Sequence, residues 1–274
     1  MSVRILCVGD VVGRPGRRML ADHLRGLIRD RSIDLVVCNA ENAAGGSGLT
    51  PQGYQKLLHY GVDVITMGDH VYRKREIVPI LSTSDRILRP ANLSPKAAGR
   101  RYTVVQTKDE KHAVAVTCLL GQLYMQATSS PWAAIEEVLA DLPPHVKIRV
   151  VDFHAEASSE KIAMGWLLNG RASVVFGTHT HVPTADASIL AGGTAHISDV
   201  GMTGPYDSVL GRRKERVLQF LTTNMPTPFT VADGDPRLYA VLVTVDPVTG
   251  GATDIEQIVI RGYSEQAADQ DDED

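Results

Sequence analysis

Long apolar runs and cysteine pairs with metal-like spacing are missing from this sequence of 274 residues, and we expect no signal peptide. Because no stretch of about 18 apolar residues occurs, we expect no transmembrane helix. The chain begins MSVRILCVGD and enters a strand-like run at once, without the apolar core and small-residue cleavage site of a signal peptide. Cys7, Cys38 and Cys118 are odd in number and lack metal-like spacing. They are therefore predicted to be reduced core thiols of a cytoplasmic protein.

An excess of positive charge is also missing. The 28 Lys and Arg residues face 32 Asp and Glu residues, which gives a net charge of −4. This balance argues against general binding of nucleic acid or of an anionic membrane. With 43% hydrophobic residues, the chain can bury a sizeable core. We assign residues 1–263 to a single domain, and we expect the acidic residues 264–274 to be disordered, since large apolar side chains are almost absent there.

Short β-rich runs alternate with helix-length segments, which indicates an α/β protein with parallel strands. Strands are predicted at residues 3–9, 34–39, 62–68, 147–153 and 172–176. A hairpin around KDEKH and a helix capped by Ser130 interrupt this order, and two further β-runs follow near the end. The mixed order predicts two sheets packed together. Residues 201–236 are expected to be a loop-rich segment that walls a substrate pocket.

A carboxylate, amide or imidazole follows each of five predicted strands. These residues are Asp10, Glu41 with Asn42, Asp69 with His70, His154, and His179 with His181. The carboxyl ends of parallel strands meet at one edge of a sheet, where open α/β folds bind their ligands. In an extended strand, His179 and His181 would point the same way, and we expect both to face this cluster.

The acids in this cluster point to bound metal ions. Three carboxylates cannot share a buried pocket without a compensating cation, because like charges raise one another's pKa. Neutral imidazoles do not supply that charge. Oxygen and nitrogen ligands without thiolate suit iron, manganese or zinc, and we favour iron. Seven ligands exceed the usual number for one ion, so two ions are predicted, with Glu41 best placed to bridge them.

Each of these residues has a simpler explanation when it is taken alone. Asp10 and Asp69 could cap the helices that follow them. Glu41 and Asn42 could be turn residues, and His154 could be a core histidine. The joint pattern favours the metal site. Among the other histidines, His196 is predicted to be structural, and a surface position is predicted for His23, His59, His112 and His145.

A glycine-rich loop after the first strand offers a competing function. Gly9, Gly13 and Gly16, with Arg14 beside them, could cradle a phosphate at a helix N-terminus. The spacing matches neither the dinucleotide fingerprint nor the Walker loop, so the signal for a nucleotide cofactor is weak. Arg14 is kept as a candidate for contact with a substrate phosphate.

Several blocks spread over nearly the whole chain carry a family resemblance: ILCVGDVVGRPGRR, CNAENAAGGSGLT, TMGDHVY, VDFHAEASSEK, GTHTHVPTAD and DVGMTGPYDSVLG. They resemble the calcineurin-like metallophosphoesterases, and more closely the YmdB-like branch of 2′,3′-cyclic-nucleotide 2′-phosphodiesterases. The resemblance implies a four-layer α/β/β/α sandwich. It implies that His70 is the general acid. It also implies one ion on Asp10, Glu41, Asn42 and His181, and a second on Glu41, Asp69, His154 and His179.

One departure from the family pattern belongs to this chain. The family's Gly-Asn-His reads Gly68-Asp69-His70 here, so a carboxylate replaces a neutral amide. The added negative charge is expected to tighten the binding of a more highly charged ion and to repel an anionic substrate.

Taken together, the residues predict a metal-dependent phosphoesterase. The resemblance implies a 2′,3′-cyclic nucleotide as the substrate, attack by a metal-activated hydroxide, and protonation of the leaving group by His70. Tyr206 and Arg212 are further candidates for substrate contact. The alternatives are a phosphomonoesterase, a metal-binding regulatory protein with little or no turnover, and a nucleotide-binding α/β protein. The partner is expected to be a small phosphoester, and a homo-oligomer is left open.

Overall fold

The computed structural model describes residues 2–127 and 129–262 and shows two β-sheets that face each other. The first sheet contains β1 (Val3–Val8), β2 (Leu35–Asn39), β3 (Val64–Thr66), β4 (Ile87–Leu88), β11 (Gly204–Pro205), β12 (Pro236–Val245) and β13 (Ala252–Arg261). The second contains β5 (Tyr102–Gln106), β6 (Ala113–Leu120), β7 (Ile148–His154), β8 (Val174–Thr178), β9 (Ser188–Ile189) and β10 (Ala195–Ile197). The helices are α1 (Gly13–Asp30), α2 (Pro51–Tyr60), α3 (Val78–Thr83) after a 3-10 turn (Arg75–Ile77), α4 (Pro131–Asp141), α5 (Ser158–Leu167) and α6 (Lys214–Thr223).

The hydrophobic core has three layers, and together they define the α/β/β/α sandwich. Alternate residues of β1 serve different layers, as the two-residue period of a strand requires: Ile5 faces the second sheet, whereas Leu6 faces the helices. Helix α1 covers the outer face of the first sheet, and α4 and α5 cover the outer face of the second. The predicted four-layer fold is therefore confirmed.

Parallel pairing brings the carboxyl ends of the strands together, as the sequence indicated. Strands β1, β2, β3 and β4 are parallel neighbours in the first sheet, and β6, β7, β8 and β10 are parallel neighbours in the second. The hairpin of β5 and β6 is antiparallel. The Ser130 cap is also confirmed, because its hydroxyl accepts a hydrogen bond from the Ala133 backbone at 3.5 Å.

One sequence prediction requires correction. His179 and His181 do not continue an extended strand: their φ angles are +97° and +64°, so the chain turns in left-handed conformations directly after β8. Within residues 201–236, helix α6 spans Lys214–Thr223. The predicted disorder of 264–274 falls outside the described residues.

Two further predictions concern the cysteines and membrane-spanning helices. The three cysteines are buried and form no disulfide, as predicted. In the described part of the chain, no helix has the length and apolar character needed to cross a membrane.

Candidate active site

Four side chains from both sheets converge at the carboxyl edge and could hold a metal ion. They are Glu41, Asp69, His154 and His179, and each offers a donor atom within 4.8 Å of the others. His154 Nε2 lies 3.3 Å from Glu41 Oε1, 3.3 Å from Asp69 Oδ1 and 3.1 Å from His179 Nδ1. Donor atoms around one ion with bonds of about 2.1 Å are separated by similar distances. The four residues therefore fit a single cation with mixed oxygen and nitrogen ligands.

Asp10 supplies an independent sign that a cation belongs here. Its carboxylate is fully buried, and Oδ2 accepts a hydrogen bond from the His179 backbone at 3.0 Å. Among the described residues, Oδ1 is buried without a hydrogen-bond partner. Burial raises the pKa of Asp10 to about 8, although the charge of His154 opposes the shift. An unsatisfied buried oxygen of this kind is costly unless a cation binds it.

A second group of candidate ligands lies beside Asp10. His181 Nε2 is 3.8 Å from Asp10 Oδ1 and 3.2 Å from Asn42 Nδ2. The amide nitrogen of Asn42 also donates to Glu41 Oε1 at 3.2 Å. The amide oxygen of Asn42 faces His70 instead. Asn42 would therefore bind a cation only after its amide group turns over. After that rotation, Asp10, Glu41, Asn42 and His181 are candidate ligands for a second ion.

Each histidine of the cluster uses its outer nitrogen for a polar partner. His181 Nδ1 donates to the Leu210 carbonyl at 3.0 Å, and His179 Nε2 lies 3.2 Å from Glu156 Oε2. His154 Nδ1 lies 2.8 Å from the Thr178 hydroxyl. In every case the other nitrogen faces the cluster. Metal-binding histidines in proteins are commonly oriented in this way.

His70 lies at the rim of the cluster, with about a quarter of its side chain exposed. Its Nδ1 contacts Asn42 Oδ1 at 2.8 Å and Glu41 Oε1 at 3.2 Å, and its backbone donates to Glu41 Oε2 at 3.0 Å. The contact with Glu41 raises the pKa of His70, which favours the protonated ring. Its Nε2 is 3.6 Å from Asp69 Oδ2. The arrangement can hold a proton next to the cluster.

The turn that carries His179 and His181 rests on a buried ion pair. Lys161 Nζ lies 2.6 Å from Asp199 Oδ2, and both side chains are buried. The same oxygen accepts hydrogen bonds from the Thr180 backbone at 3.1 Å and from the Thr180 hydroxyl at 2.7 Å. Since Thr180 separates the two histidines, these bonds fix the turn that directs both rings inward.

A buried polar network beneath the cluster was missed by the sequence analysis. Asp152 of β7 accepts hydrogen bonds from Thr66 at 2.5 Å, from Thr178 at 2.7 Å and from Asn39 at 3.0 Å. Asp152 stands two residues before His154, so both side chains share one face of the strand. A carboxylate inside a fully buried strand was the available signal.

The two aspartates of the cluster do not act as helix caps, and the remaining histidines lie outside the cluster. The N-cap of α1 is Val12 and that of the 3-10 turn is Lys74, so neither Asp10 nor Asp69 caps a helix. His196 is structural, as predicted, because its Nε2 donates to the Lys161 carbonyl at 3.1 Å. His59 and His145 are exposed, and His23 and His112 are partly buried.

The glycine-rich loop after β1 has a packing role. A Cβ atom at Gly9 would overlap the Gly201 carbonyl, and one at Gly16 would overlap the Thr203 carbonyl. The backbone of residues 201–203 therefore covers these glycines, which argues against a phosphate cradle there.

The three candidate substrate contacts are placed differently. Arg14 is exposed at the start of α1. The guanidinium of Arg212 donates to the carbonyls of Gly45 and Gly46 and so joins two loops near the cluster. Tyr206 is used in packing: its ring stacks on Tyr239 at 4.9 Å, and its hydroxyl donates to the Met202 carbonyl.

Comparison with known proteins agrees with this geometry. Residues 6–258 match the model of the family described as YmdB-like protein. This chain belongs to the YmdB-like family. It is 42% identical over 259 residues to the 2′,3′-cyclic-nucleotide 2′-phosphodiesterase of Bacillus subtilis, covering 94% of this chain and 97% of that protein.

Two solved structures of similar sequence share the fold of this YmdB-like chain. A hypothetical protein from Thermus thermophilus superposes with a TM-score of 0.89 at 36% identity, covering 95% of this chain and 100% of that one. A protein from Mycoplasma pneumoniae described as a novel phosphatase superposes with a TM-score of 0.88 at 33% identity, covering 95% and 94% of the two chains.

Proposed function

We propose that this YmdB-like protein is a metal-dependent phosphodiesterase that hydrolyses the 2′ ester of 2′,3′-cyclic nucleotides. The observation that carries the proposal is the convergence of Glu41, Asp69, His154 and His179 with the unsatisfied Asp10 Oδ1. The similarity to the Bacillus subtilis phosphodiesterase supports the substrate class.

The ligands in this proposal are the residues of the cluster. Asp10, Glu41, Asn42 and His181 would hold one ion, and Glu41, Asp69, His154 and His179 would hold the other. When bound, such ions supply Lewis acidity and lower the pKa of a coordinated water. The donor set favours iron, manganese or zinc over soft metals, and we propose iron first.

His70 is proposed as the general acid. Glu41 Oε1 contacts its Nδ1 at 3.2 Å, which leaves Nε2 as the atom that delivers a proton. Hydroxide derived from water would form the new bond to phosphorus as the bond between phosphorus and the 2′ oxygen breaks. The proton of His70 passes to the departing 2′ oxygen, and the product is a nucleoside 3′-phosphate. The raised pKa of His70 favours the acid form needed for this step.

The roles of the remaining candidate residues are proposed from their positions in the fold. Leu210 holds His181 through its carbonyl, so residues 201–213 reach the cluster and can wall the pocket. Arg14 and Arg212 are retained as contacts for a substrate phosphate. Tyr206 is the weakest of the three because Met202 occupies its hydroxyl. We further propose a cytoplasmic location, on the basis of the three unpaired cysteines.

The test compares wild type, His70→Ala and His145→Ala on cyclic diesters, linear diesters and monoesters, with metal analysis of each protein. His145 is an exposed histidine and serves as the control. We expect chelator-sensitive hydrolysis of the cyclic diester by wild type. Turnover by His70→Ala should fall about 10²- to 10⁴-fold with its metals retained.

Each other outcome favours an alternative. Full metal content with no turnover on any phosphoester would favour a regulatory protein, and a preference for monoesters would favour a phosphatase. Loss of metal from His70→Ala would make His70 a ligand.

A further inference from the structure

Four residues at or near the carboxyl ends of their strands form the polar network beneath the cluster, and each comes from a different strand. Asn39 ends β2, Thr66 ends β3, Asp152 lies in β7 and Thr178 ends β8. All four side chains are buried. The network therefore joins the two sheets directly below His154.

The direction of the hydrogen bonds follows from the groups involved. An ionised carboxylate only accepts, and Asp152 receives the amide of Asn39 at 3.0 Å and the hydroxyl of Thr66 at 2.5 Å on Oδ2. The Thr178 hydroxyl donates its single hydrogen to Asp152 Oδ1 at 2.7 Å. Its oxygen is then left as an acceptor.

Asn39 Nδ2 lies farther from both groups, at 3.3 Å from His154 Nδ1 and 3.4 Å from the Thr178 oxygen, so the hydrogen of the shorter contact between Thr178 and His154 is on the imidazole. His154 Nδ1 lies 2.8 Å from the Thr178 oxygen, so Nδ1–H must be the donor. Nε2 is then the nitrogen that faces the proposed metal ligands. It is this nitrogen that lies 3.3 Å from both Glu41 Oε1 and Asp69 Oδ1.

We infer that Asp152, acting through Thr178, is a positioning residue that holds His154 with its proton on Nδ1 and its Nε2 ready to bind metal. The inference rests on the proposed metal site. Asp152 and Thr178 touch neither metal nor substrate in this scheme. They act by fixing the tautomer and the ring orientation of one ligand, a role that outer partners of metal-binding histidines commonly have.

Thr66 provides a matched control within the same network. Thr178→Val and Thr66→Val each remove one buried hydroxyl that donates to Asp152. Only Thr178 is in contact with His154. Thr178→Ser keeps the hydroxyl and tests whether the hydroxyl alone preserves the zinc affinity.

The experiment measures zinc affinity of the metal-depleted full-length proteins by calorimetry, and denaturant midpoints of the same samples. We expect Thr178→Val to bind zinc about 10- to 100-fold more weakly, with near-normal affinity for Thr178→Ser. Thr66→Val should lose a similar amount of stability but less than about threefold in affinity. Equal affinity losses in the two valine variants, or none in Thr178→Val, would overturn the inference.

A spectroscopic readout separates this inference from the proposed function. In zinc-loaded wild type, the nitrogen-15 spectrum of the histidine rings should show His154 protonated at Nδ1. A proton on Nε2 would overturn the inference even if the enzyme is active, whereas failure of wild type to bind zinc would reject the proposed metal site itself.

Discussion

Buried carboxylates in this protein differ in how their charge is satisfied, and the difference singles out Asp10. Asp152 has three hydrogen-bond donors, and Asp199 has Lys161. Asp10 is equally buried but keeps one oxygen unsatisfied among the described residues. Burial of an unpaired charge is expensive. Hydrogen bonds and an ion pair therefore account for Asp152 and Asp199, whereas the unsatisfied oxygen of Asp10 marks a site that takes a cation.

The carboxylate at position 69, where the resemblance described above implies an amide, leads to a first prediction. Asp69 is about one third exposed and lies 3.6 Å from His70 Nε2. Asp69→Asn should lower the KM for an anionic cyclic nucleotide by about three- to tenfold and weaken metal binding, because one negative charge is removed. Steady-state kinetics and metal titration measure both effects. Asp85→Asn removes the same charge at an exposed position and should change neither the KM nor the metal affinity. An unchanged or higher KM for Asp69→Asn would show that this charge does not repel the substrate.

Gly68 is predicted to be indispensable because its missing side chain leaves room for two ligands. A Cβ atom there would overlap Glu41 Oε2 and His154 Nε2. Gly68→Ala should therefore lose most of its bound metal, as determined by elemental analysis, and most of its activity with it. Gly26 in α1 has no neighbour within 4 Å of such an atom. Gly26→Ala should keep its metal and gain about 0.5–1 kcal/mol of stability. Full metal occupancy in Gly68→Ala would show that the ligands can shift aside.

Among the secondary-structure elements, the turn after β8 gives the next prediction. Lys161→Met leaves the Asp199 carboxylate buried without its cation, which costs about 3–5 kcal/mol of unfolding free energy. Metal affinity should also fall, since Asp199 holds Thr180 between the two histidines. Denaturant unfolding measures the loss of stability, and calorimetry measures the loss of metal affinity. The exposed Lys96→Met should stay within about 0.5 kcal/mol of wild type. Adding Asp199→Asn to Lys161→Met should restore part of the stability, and a fully stable single variant would contradict the argument.

Element order and strand ends could be predicted from the sequence because they depend on local patterns. Alternation of β-rich and helical runs places Asp10 and His154 at the carboxyl ends of parallel strands, Asp10 in the first sheet and His154 in the second. The turn at His179 could not be predicted, because its left-handed backbone is fixed by Asp199 from a distant segment. Asn39 and Thr66 were missed for a related reason: their role exists only when Asp152 of the other sheet meets them.

At the scale of the whole molecule, the candidate ligands are divided between the two sheets. Asp10, Glu41, Asn42 and Asp69 follow strands of the first sheet, whereas His154, His179 and His181 end or follow strands of the second. Metal binding would therefore clamp the two halves of the sandwich together at this edge. Anything that binds the folded state in preference to the unfolded state raises stability through mass action.

Removal of metal should consequently destabilise the entire fold. At a free metal concentration about 100 times the Kd, bound ion stabilises by ~2.7 kcal/mol. For a chain of this size, that corresponds to a fall in Tm of about 5–10 °C on chelation. Calorimetry with and without chelator measures the shift. Glu41→Gln removes the negative charge of the residue proposed to bridge both ions. Its Tm should therefore fall less on chelation than that of wild type. An identical shift in wild type and Glu41→Gln would place the stabilising ion elsewhere in the molecule.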